Sequence, residues 1–175
     1  MKEVKERAAA VRMLVLDVDG TLTDGGIYIG ATGELFKRFD IKDGLGIALW
    51  HRAGGKTAVI TGRTSPILEA RARELKITAL WQGRLDKAVA YQELKARYGV
   101  SDEAIAYIGD DLVDLPVMQQ AGFAAAPADA VPEVRQRAHF VASHRSGNGA
   151  VREIIEFILQ AQGRWEEMVA RFLIS

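Results

Sequence analysis

The sequence predicts an α/β fold, a three-layer α/β/α sandwich whose mostly parallel sheet is covered by helices on both faces, and three observations predict it. Short, almost wholly apolar runs at Met13 to Val18, Thr57 to Ile60 and Ala104 to Ile108 have the length and composition of strands buried on both faces. Longer segments with helical apolar spacing lie between them, so strands and helices alternate along the chain. Each run ends on groups capable of chemistry: Asp17 and Asp19, then Thr61, then Asp110, Asp111 and Asp114. In such sheets ligands bind beyond the carboxyl ends of the strands, where this topology gathers groups far apart in sequence.

Lys2 to Ala10 has the composition of a short amino-terminal helix. The first strand, Met13 to Val18, meets Gly20, which lets the backbone turn. Ile27 to Ile29 and Leu35 to Phe39 flank Gly30-Ala31-Thr32-Gly33 and predict a β-hairpin, a flap over about residues 27–39. Asp43-Gly44-Leu45-Gly46 opens a helix through Ile47, Leu49 and Trp50 that stops near Ala53-Gly54-Gly55. After the strand Thr57 to Ile60, Pro66 starts a helix with the stripe Ile67, Leu68, Ala72 and Leu75. Thr78 to Trp81 is a strand, and Lys87 to Tyr98 a helix closed by Gly99. The strand Ala104 to Ile108 precedes a helix over Leu115 to Ala121, a strand over Gly122 to Ala126, a short helix over Val134 to Ala138 and a last strand over Phe140 to Ala142. Beyond the glycines at 147 and 149, Val151, Ile154, Ile155, Ile158 and Leu159 mark an amphipathic helix. The tail, about residues 163–175, carries Trp165, Met168, Val169, Phe172 and Leu173 at helical spacing; it either docks on its own core or reaches a neighbouring subunit. Neither the stretch before Asp43 nor that from Thr61 to Lys87 has room for a cap domain. One domain over residues 1–175, its site open on the monomer, is expected.

Composition narrows the function classes. The chain of 175 residues is 49% apolar and 26% charged, ordinary for a globular domain. Lys+Arg and Asp+Glu both number 23, so nothing suggests a nucleic-acid surface. No cysteine is present, which excludes disulfides and thiolate chemistry and leaves oxygen or imidazole as metal ligands. The amino terminus lacks the apolar core of a signal peptide and no apolar run approaches membrane-spanning length, so a cytoplasmic address with no membrane partner is expected.

Asp17 and Asp19 lie two apart and share a face of the strand end, where two like charges call for a cation or a proton between them. A hard divalent cation such as Mg²⁺ takes oxygen ligands and would relieve that repulsion. Taken singly, Asp17 is equally a turn cap, Thr61 a turn residue, Lys87 a solvated cation at a helix start and Asp114 a helix cap. What favours chemistry is the convergence of the strand-end groups Asp17, Asp19, Thr61, Asp110, Asp111 and Asp114. His51, His139 and His144 form no spaced pair, and Trp50 and Trp81 lie on core-facing patterns.

The motifs Asp17-Val18-Asp19-Gly20-Thr21, Thr61-Gly62-Arg63, Lys87 and Gly109-Asp110-Asp111-Leu112-Val113-Asp114 together resemble the haloacid dehalogenase-like phosphatases in order, strand context and spacing. The resemblance implies a Rossmann-like fold, with Asp17 as the nucleophile that forms an aspartyl-phosphate and Asp19 as general acid and base. It further implies Thr61 and Lys87 as stabilisers of the transferring phosphoryl group, and Mg²⁺ held by Asp17, the main-chain carbonyl of Asp19 and Asp110. Asp111 and Asp114 would either reach the metal through water or orient Lys87. Within the superfamily, the stretches Asp17 to Gly25, Phe39 to Gly44, Ile60 to Arg63, Gly109 to Met118 and Gly147 to Glu153 resemble the capless phosphatases of 3-deoxy-D-manno-octulosonate 8-phosphate, which act in lipopolysaccharide precursor synthesis. A nine-carbon 2-keto sugar acid 9-phosphate is the alternative substrate, and a non-catalytic module of the same fold the alternative role. The resemblance implies a phosphorylated sugar acid as partner, bound by Asp19, Asp40, Ile41, Lys42, Asp43, Gly44, Ala48, Arg63, Arg71 and Lys87. It also implies a homotetramer whose flap and tail close over adjacent sites. One departure is Gly147-Asn148-Gly149, which has no basic residue between the glycines.

Overall fold

A computed structural model describes residues 2–173; Met1, Ile174 and Ser175 lie outside the described residues, so the expected tail is followed only to Leu173. In chain order α1 (Lys2–Ala10) leads into β1 (Met13–Leu16), the hairpin β2 (Tyr28–Gly30) and β3 (Gly33–Phe36), and α2 (Ile41–Arg52). Then come β4 (Lys56–Ile60), α3 (Pro66–Glu74), β5 (Ala79–Trp81), α4 (Lys87–Tyr98), β6 (Ile105–Ile108) and α5 (Leu115–Met118). The chain continues through β7 (Phe123–Ala126), α6 (Pro132–Arg135), β8 (Phe140–Val141), α7 (Ala150–Ala161) and α8 (Trp165–Ala170). Six strands form one parallel sheet in the order β5-β4-β1-β6-β7-β8. Among the described residues the hairpin pairs only with itself, apart from a bridge between Thr23 and Phe39 at its base. Only that hairpin separates β1 from α2, and only α3 and β5 separate β4 from α4, so neither position carries a cap domain.

The apolar runs are strands because both their faces are covered. Leu14 and Leu16 of β1 pack with Ala8, Ile47, Trp50, Ile154, Ile155 and Ile158, contributed by α1, α2 and α7. Met13 and Val15 face the other way, onto Ala90, Tyr91 and Leu94 of α4, Val117 and Met118 of α5 and Val134 of α6. Alternation along one strand therefore supplies both cores of the sandwich. On α7 the residues Val151, Ile154, Ile155, Ile158 and Leu159 are all buried. Each contributes about 1.5–3 kcal/mol by leaving water.

Element boundaries depart from the sequence reading where polar caps decide them. Helix α2 begins at Ile41 because the Asp40 carboxylate accepts from the Lys42 N–H at 2.7 Å, so Asp43 lies inside the helix. From there the buried Asp43 carboxylate accepts from the N–H groups of Gly149 (3.3 Å) and Arg152 (2.8 Å) at the start of α7. Gly149 has no side chain to cap that helix, so α2 supplies the cap from outside. Burial pushes the Asp43 carboxyl above its ordinary range, while these two N–H groups pull it back. Helix α6 begins at Pro132, ahead of the expected Val134, since a proline at the first turn forfeits no hydrogen bond.

Of the two readings of the tail, docking on its own core describes α8. Met168 is fully buried in the cluster beneath α7, the Arg164 guanidinium donates to the Ala53 carbonyl, and the Arg152 guanidinium lies 5.3 Å from the Trp165 ring centroid. Phe172 and Leu173 beyond it are exposed. Met168→Ala is expected to lower the unfolding free energy by about 2–5 kcal/mol through the cavity it leaves. Urea denaturation of the variant measures this; a loss under about 1 kcal/mol would mean that α8 does not dock in solution.

Candidate active site

Three adjacent strands, β4, β1 and β6, deliver their carboxyl-terminal residues to one cleft. The Asp17 N–H donates to the Ile108 carbonyl at 2.9 Å and the Thr61 N–H to the Trp81 carbonyl at 2.9 Å, so both positions are fixed by continuation of the parallel ladders. Strand connections run outward to β4 and β5 on one side of β1 and to β6, β7 and β8 on the other, which opens a crevice at this switch point. The cleft has a volume of about 200 Å³ and its walls include Asp17, Asp19, Thr61, Arg63, Lys87 and Asp110.

Lys87 occupies the first turn of α4, whose cap is Asp86, accepting from the N–H groups of Ala88 (3.1 Å) and Val89 (3.2 Å). Its buried ammonium donates to Asp17 Oδ1 at 2.6 Å and to Asp114 Oδ1 at 2.7 Å. Asp114, in a 3₁₀ turn spanning Leu112–Asp114, has no exposed surface. Besides Lys87 its carboxylate accepts the Tyr107 hydroxyl at 2.7 Å and the N–H groups of Asp110 (3.0 Å) and Asp111 (3.2 Å). Four donors saturate it. Asp114 therefore holds Lys87, and of the two roles open in the sequence the positioning one fits. Two glycines make the approach tight: a Cβ on Gly20 would lie 2.1 Å from Asp110 Oδ2, and one on Gly109 2.4 Å from Asp114 Cγ.

Electrostatically the cluster holds more negative charge than Lys87 can offset. Burial, followed by the Lys87 charge acting in the opposite sense, leaves the Asp17 carboxyl raised to about 6. Burial, then the charges of Asp17 and Asp114, raise Asp110 to about 8. Lys87 is lowered by burial, but Asp17 and Asp114 outweigh that and hold it above its ordinary value. Carboxylate oxygens of Asp17, Asp110 and Asp114 lie within 4.8 Å of one another. With Asp114 saturated, Asp17 and Asp110 are the pair left to a cation, and Thr21 donates to Asp110 Oδ1 at 3.1 Å from the side. An oxygen-only donor set carrying uncompensated charge fits a hard divalent ion.

The Asp19 carboxylate stands outside the Asp17–Asp110–Asp114 cluster and meets two cations. Its Oδ1 is ion-paired with Lys37 of the flap, and its Oδ2 lies 3.6 Å from Arg63 Nε. Lys37 also pairs with Glu34 at 3.0 Å, and Arg63 reaches the same Glu34 at 3.4 Å. The Ser65 hydroxyl, which caps α3, donates to the second Glu34 oxygen. The four charges alternate in a closed ring that ties the flap to the β1 and β4 loops. Thr61 Oγ1 accepts from the Arg63 N–H at 3.4 Å, leaving its own hydrogen available to a ligand.

Other residues predicted to touch substrate do not line this cleft. Asp40 caps α2, Ile41 is exposed, Asp43 caps α7, and a Cβ on Gly44 would meet the Arg71 guanidinium at 2.6 Å. Lys42 borders a groove with His144 and Arg152, and Ala48 another with His51 and Leu75. Arg71 pairs with Glu74 at 2.9 Å and lies over Phe39 with 5.6 Å to the ring centroid. The histidines are structural or solvated: His51 bonds Thr57 at 2.9 Å, His139 accepts from the Ala124 N–H at 2.8 Å, and the exposed His144 meets Glu153 at 2.7 Å. Glu34, Lys37 and Tyr107 are members of the site that the motifs did not point to; for the first two, the signal in sequence was charge on a hairpin rich in apolar residues.

Comparison with known proteins agrees with this geometry. Residues 60–154 match the family model described as haloacid dehalogenase-like hydrolase. The 3-deoxy-D-manno-octulosonate 8-phosphate phosphatase of Yersinia pestis is 48% identical over 164 residues, covering 94% of this chain and 88% of that protein. A crystal structure of that phosphatase from Yersinia pestis superposes with a TM-score of 0.91, covering 94% of this chain and 89% of the other. The phosphatase of the same name from Moraxella catarrhalis, solved in complex with magnesium ion, phosphate ion and a KDO molecule, superposes with a TM-score of 0.95 at 37% identity, covering 98% and 99%.

Metal binding here should be visible in stability and in protons. Because the folded chain holds Asp17 near 6 and Asp110 near 8, above the ordinary carboxylate range, these groups favour the metal-free fold at low pH. That stability is lost as pH rises through the folded values. Mg²⁺ should reverse the trend: it is expected to raise Tm more at about pH 8 than at about pH 5, and its binding at pH 7 should release protons, read by calorimetric titration in buffers of different ionisation enthalpy. A Tm shift independent of pH would contradict the paired Asp17–Asp110 site.

Proposed function

The chain belongs to the haloacid dehalogenase-like hydrolases, within the family of 3-deoxy-D-manno-octulosonate 8-phosphate phosphatases, and from that premise we propose that it is an Mg²⁺-dependent phosphatase releasing the free sugar acid and phosphate from that substrate. The observation that carries the reading is Asp17, ionised against Lys87 and beside Asp110, at the end of the central strand. Residues 1–175 act as one cytoplasmic phosphatase domain in lipopolysaccharide precursor synthesis.

Asp17, with Oδ1 held by Lys87, presents its other oxygen to phosphorus; that P–O bond forms as the P–O bond to the sugar breaks. Asp19 gives its proton to the departing sugar oxygen, then takes one from the water that hydrolyses the aspartyl-phosphate. Its turn from Lys37 and Arg63 toward the leaving group accompanies substrate entry. Lys87 uses two of its three N–H groups on Asp17 and Asp114, leaving one for a phosphoryl oxygen, and the Thr61 hydroxyl supplies another donor. Mg²⁺, held by Asp17, Asp110 and the Asp19 main-chain carbonyl, supplies charge neutralisation of the phosphoryl oxygens when bound. Arg63 meets the anionic sugar acid in the cleft, and Asp40, Ile41, Lys42, Ala48 and Arg71 contact substrate from outside the monomer's cleft, at a subunit boundary, while the buried Asp43 and Gly44 support them from within α2.

That boundary follows from the flap. Ile27, Ile29, Leu35 and Phe36 are all exposed, Ile27 and Phe36 by about half and the others by more, a cluster that a solitary hairpin seldom shows to water. A homotetramer in which flaps meet covers them and brings a neighbour's surface over each open cleft.

Three measurements test the reading. A phosphate-release screen over sugar-acid phosphates should select the eight-carbon 8-phosphate; preference for a nine-carbon 9-phosphate would move the substrate assignment, and no release with Mg²⁺ would refute the enzyme. Asp17→Asn is expected to abolish turnover and phosphoprotein trapping with Tm little changed; substantial residual activity would remove Asp17 from the nucleophile's role. Sedimentation at assay concentration should report a tetramer, and a fully active monomer would refute the shared boundary.

A further inference from the structure

The cations at the cleft are all partnered, but unequally. Lys87 is held at 2.6 and 2.7 Å, and Arg84 by Glu93 at 2.9 and 3.4 Å. Arg63 has only Glu34 at 3.4 Å and Asp19 at 3.6 Å, with its side chain 44% exposed. It is the cation that an incoming anion takes at least cost.

Glu34 is built to let go of it. Burial alone would raise the Glu34 carboxyl, yet the Ser65 hydroxyl, Lys37 and Arg63 together pull it below its ordinary range, so it stays ionised. When Arg63 leaves, Ser65 and the nearly buried Lys37 remain on Glu34, and no carboxylate is stranded without a partner. Arg63 thus exchanges one carboxylate for another while Ser65 still ties Glu34, and with it the flap, to the start of α3.

We infer that Glu34 is a specificity-determining residue of the proposed reaction: an internal carboxylate that competes with the sugar acid's carboxylate for Arg63 and so expels the product. The inference rests on the phosphatase reading given above. Before turnover the ligand is anchored at two points, by its phosphoryl group at Asp17, Thr61 and Lys87 and by its carboxylate, which makes a shorter, two-pronged pair with the guanidinium than Glu34 does. Hydrolysis cuts the first anchor away. The product then holds Arg63 by its carboxylate, against a Glu34 tethered at an effective concentration in the millimolar range. Glu34 reclaims Arg63 and the sugar acid leaves, in the step that limits many efficient hydrolases.

The test is Glu34→Gln, a change on the exposed hairpin that keeps size and removes charge. Free 3-deoxy-D-manno-octulosonate is titrated calorimetrically into the Mg²⁺-loaded wild type and variant, beside steady-state kinetics with the 8-phosphate. The variant is expected to bind the free acid about threefold to tenfold more tightly, the scale of one partly exposed ion pair, with KM lowered and kcat no higher. An Mg²⁺-induced rise in Tm equal to that of the wild type confirms that the metal site is intact. Unchanged or weaker binding of the acid by Glu34→Gln overturns the inference and leaves Glu34 as a support for Arg63. A wild type that releases no phosphate from the 8-phosphate and does not bind the acid overturns the phosphatase reading, and this inference with it; that result is visible in the wild-type arm alone.

Discussion

The buried ammonium of Lys87, shared between Asp17 and Asp114, is the constraint on which the rest of the site depends. An unpaired charge there would cost several kcal/mol, so the fold must bring carboxylates to it. Asp114 answers that need completely, because Tyr107 and two main-chain N–H groups fill its remaining acceptor positions. Asp17 answers it with one oxygen and keeps the other for chemistry. The tight turn at Gly109, the 3₁₀ turn that follows and the start of α4 at Lys87 are all geometry in service of this contact. A second consequence is electrostatic: once Asp114 is neutralised by Lys87, Asp17 and Asp110 remain with charge that a divalent cation relieves.

Much of this was legible in the sequence because the signals are local. The alternation of apolar runs and helical stripes fixes the layers, and strand ends are where carboxylates must cluster in such a sheet. Asp17, Thr61 and Asp110 could be placed together on those grounds without any distance, whereas Lys87, at a helix start, joined them only through the family resemblance. Roles that depend on long-range partners could not. Asp114 alone reads as a helix cap, and what makes it a positioning group is Lys87, far away on α4. Tyr107 sits in a strand whose alternation points it into the core beside Met13 and Val15, so its hydroxyl carries no signal until Asp114 is seen against it. Asp43 has the same difficulty in reverse: it stands at the expected helix opening, yet its partners are the N–H groups of Gly149 and Arg152, separated from it by most of the chain.

The flap marks another limit. Its apolar residues predict a hairpin with an uncovered face, and that face is exposed on the monomer. The charges among them include Glu34 and Lys37, which no motif marks. They acquire meaning only because β3 runs past both the Asp19 loop and the Arg63 loop, so that two cations and two carboxylates from three segments close a ring. A ring of this kind has no net charge and no motif, and composition cannot reveal it.

Catalysis and cover are consequently divided between two levels of the cleft. Asp17, Lys87 and Asp114 are almost wholly buried by the sheet and by α4, so the low-dielectric environment of Asp17 is a property of the monomer. Leu85 and Val113, which line the cleft, are exposed, and so are the apolar flap residues. In the proposed assembly, neighbours complete only the upper level, where the proposed substrate would meet Asp19 and Arg63. On that reading charge strength at phosphorus is set by the core, and choice of substrate by the ring and the surface that closes over it. Substitutions in the lower level should act on every phosphate ester alike, whereas those in the ring should act according to what the ester carries beyond its phosphate.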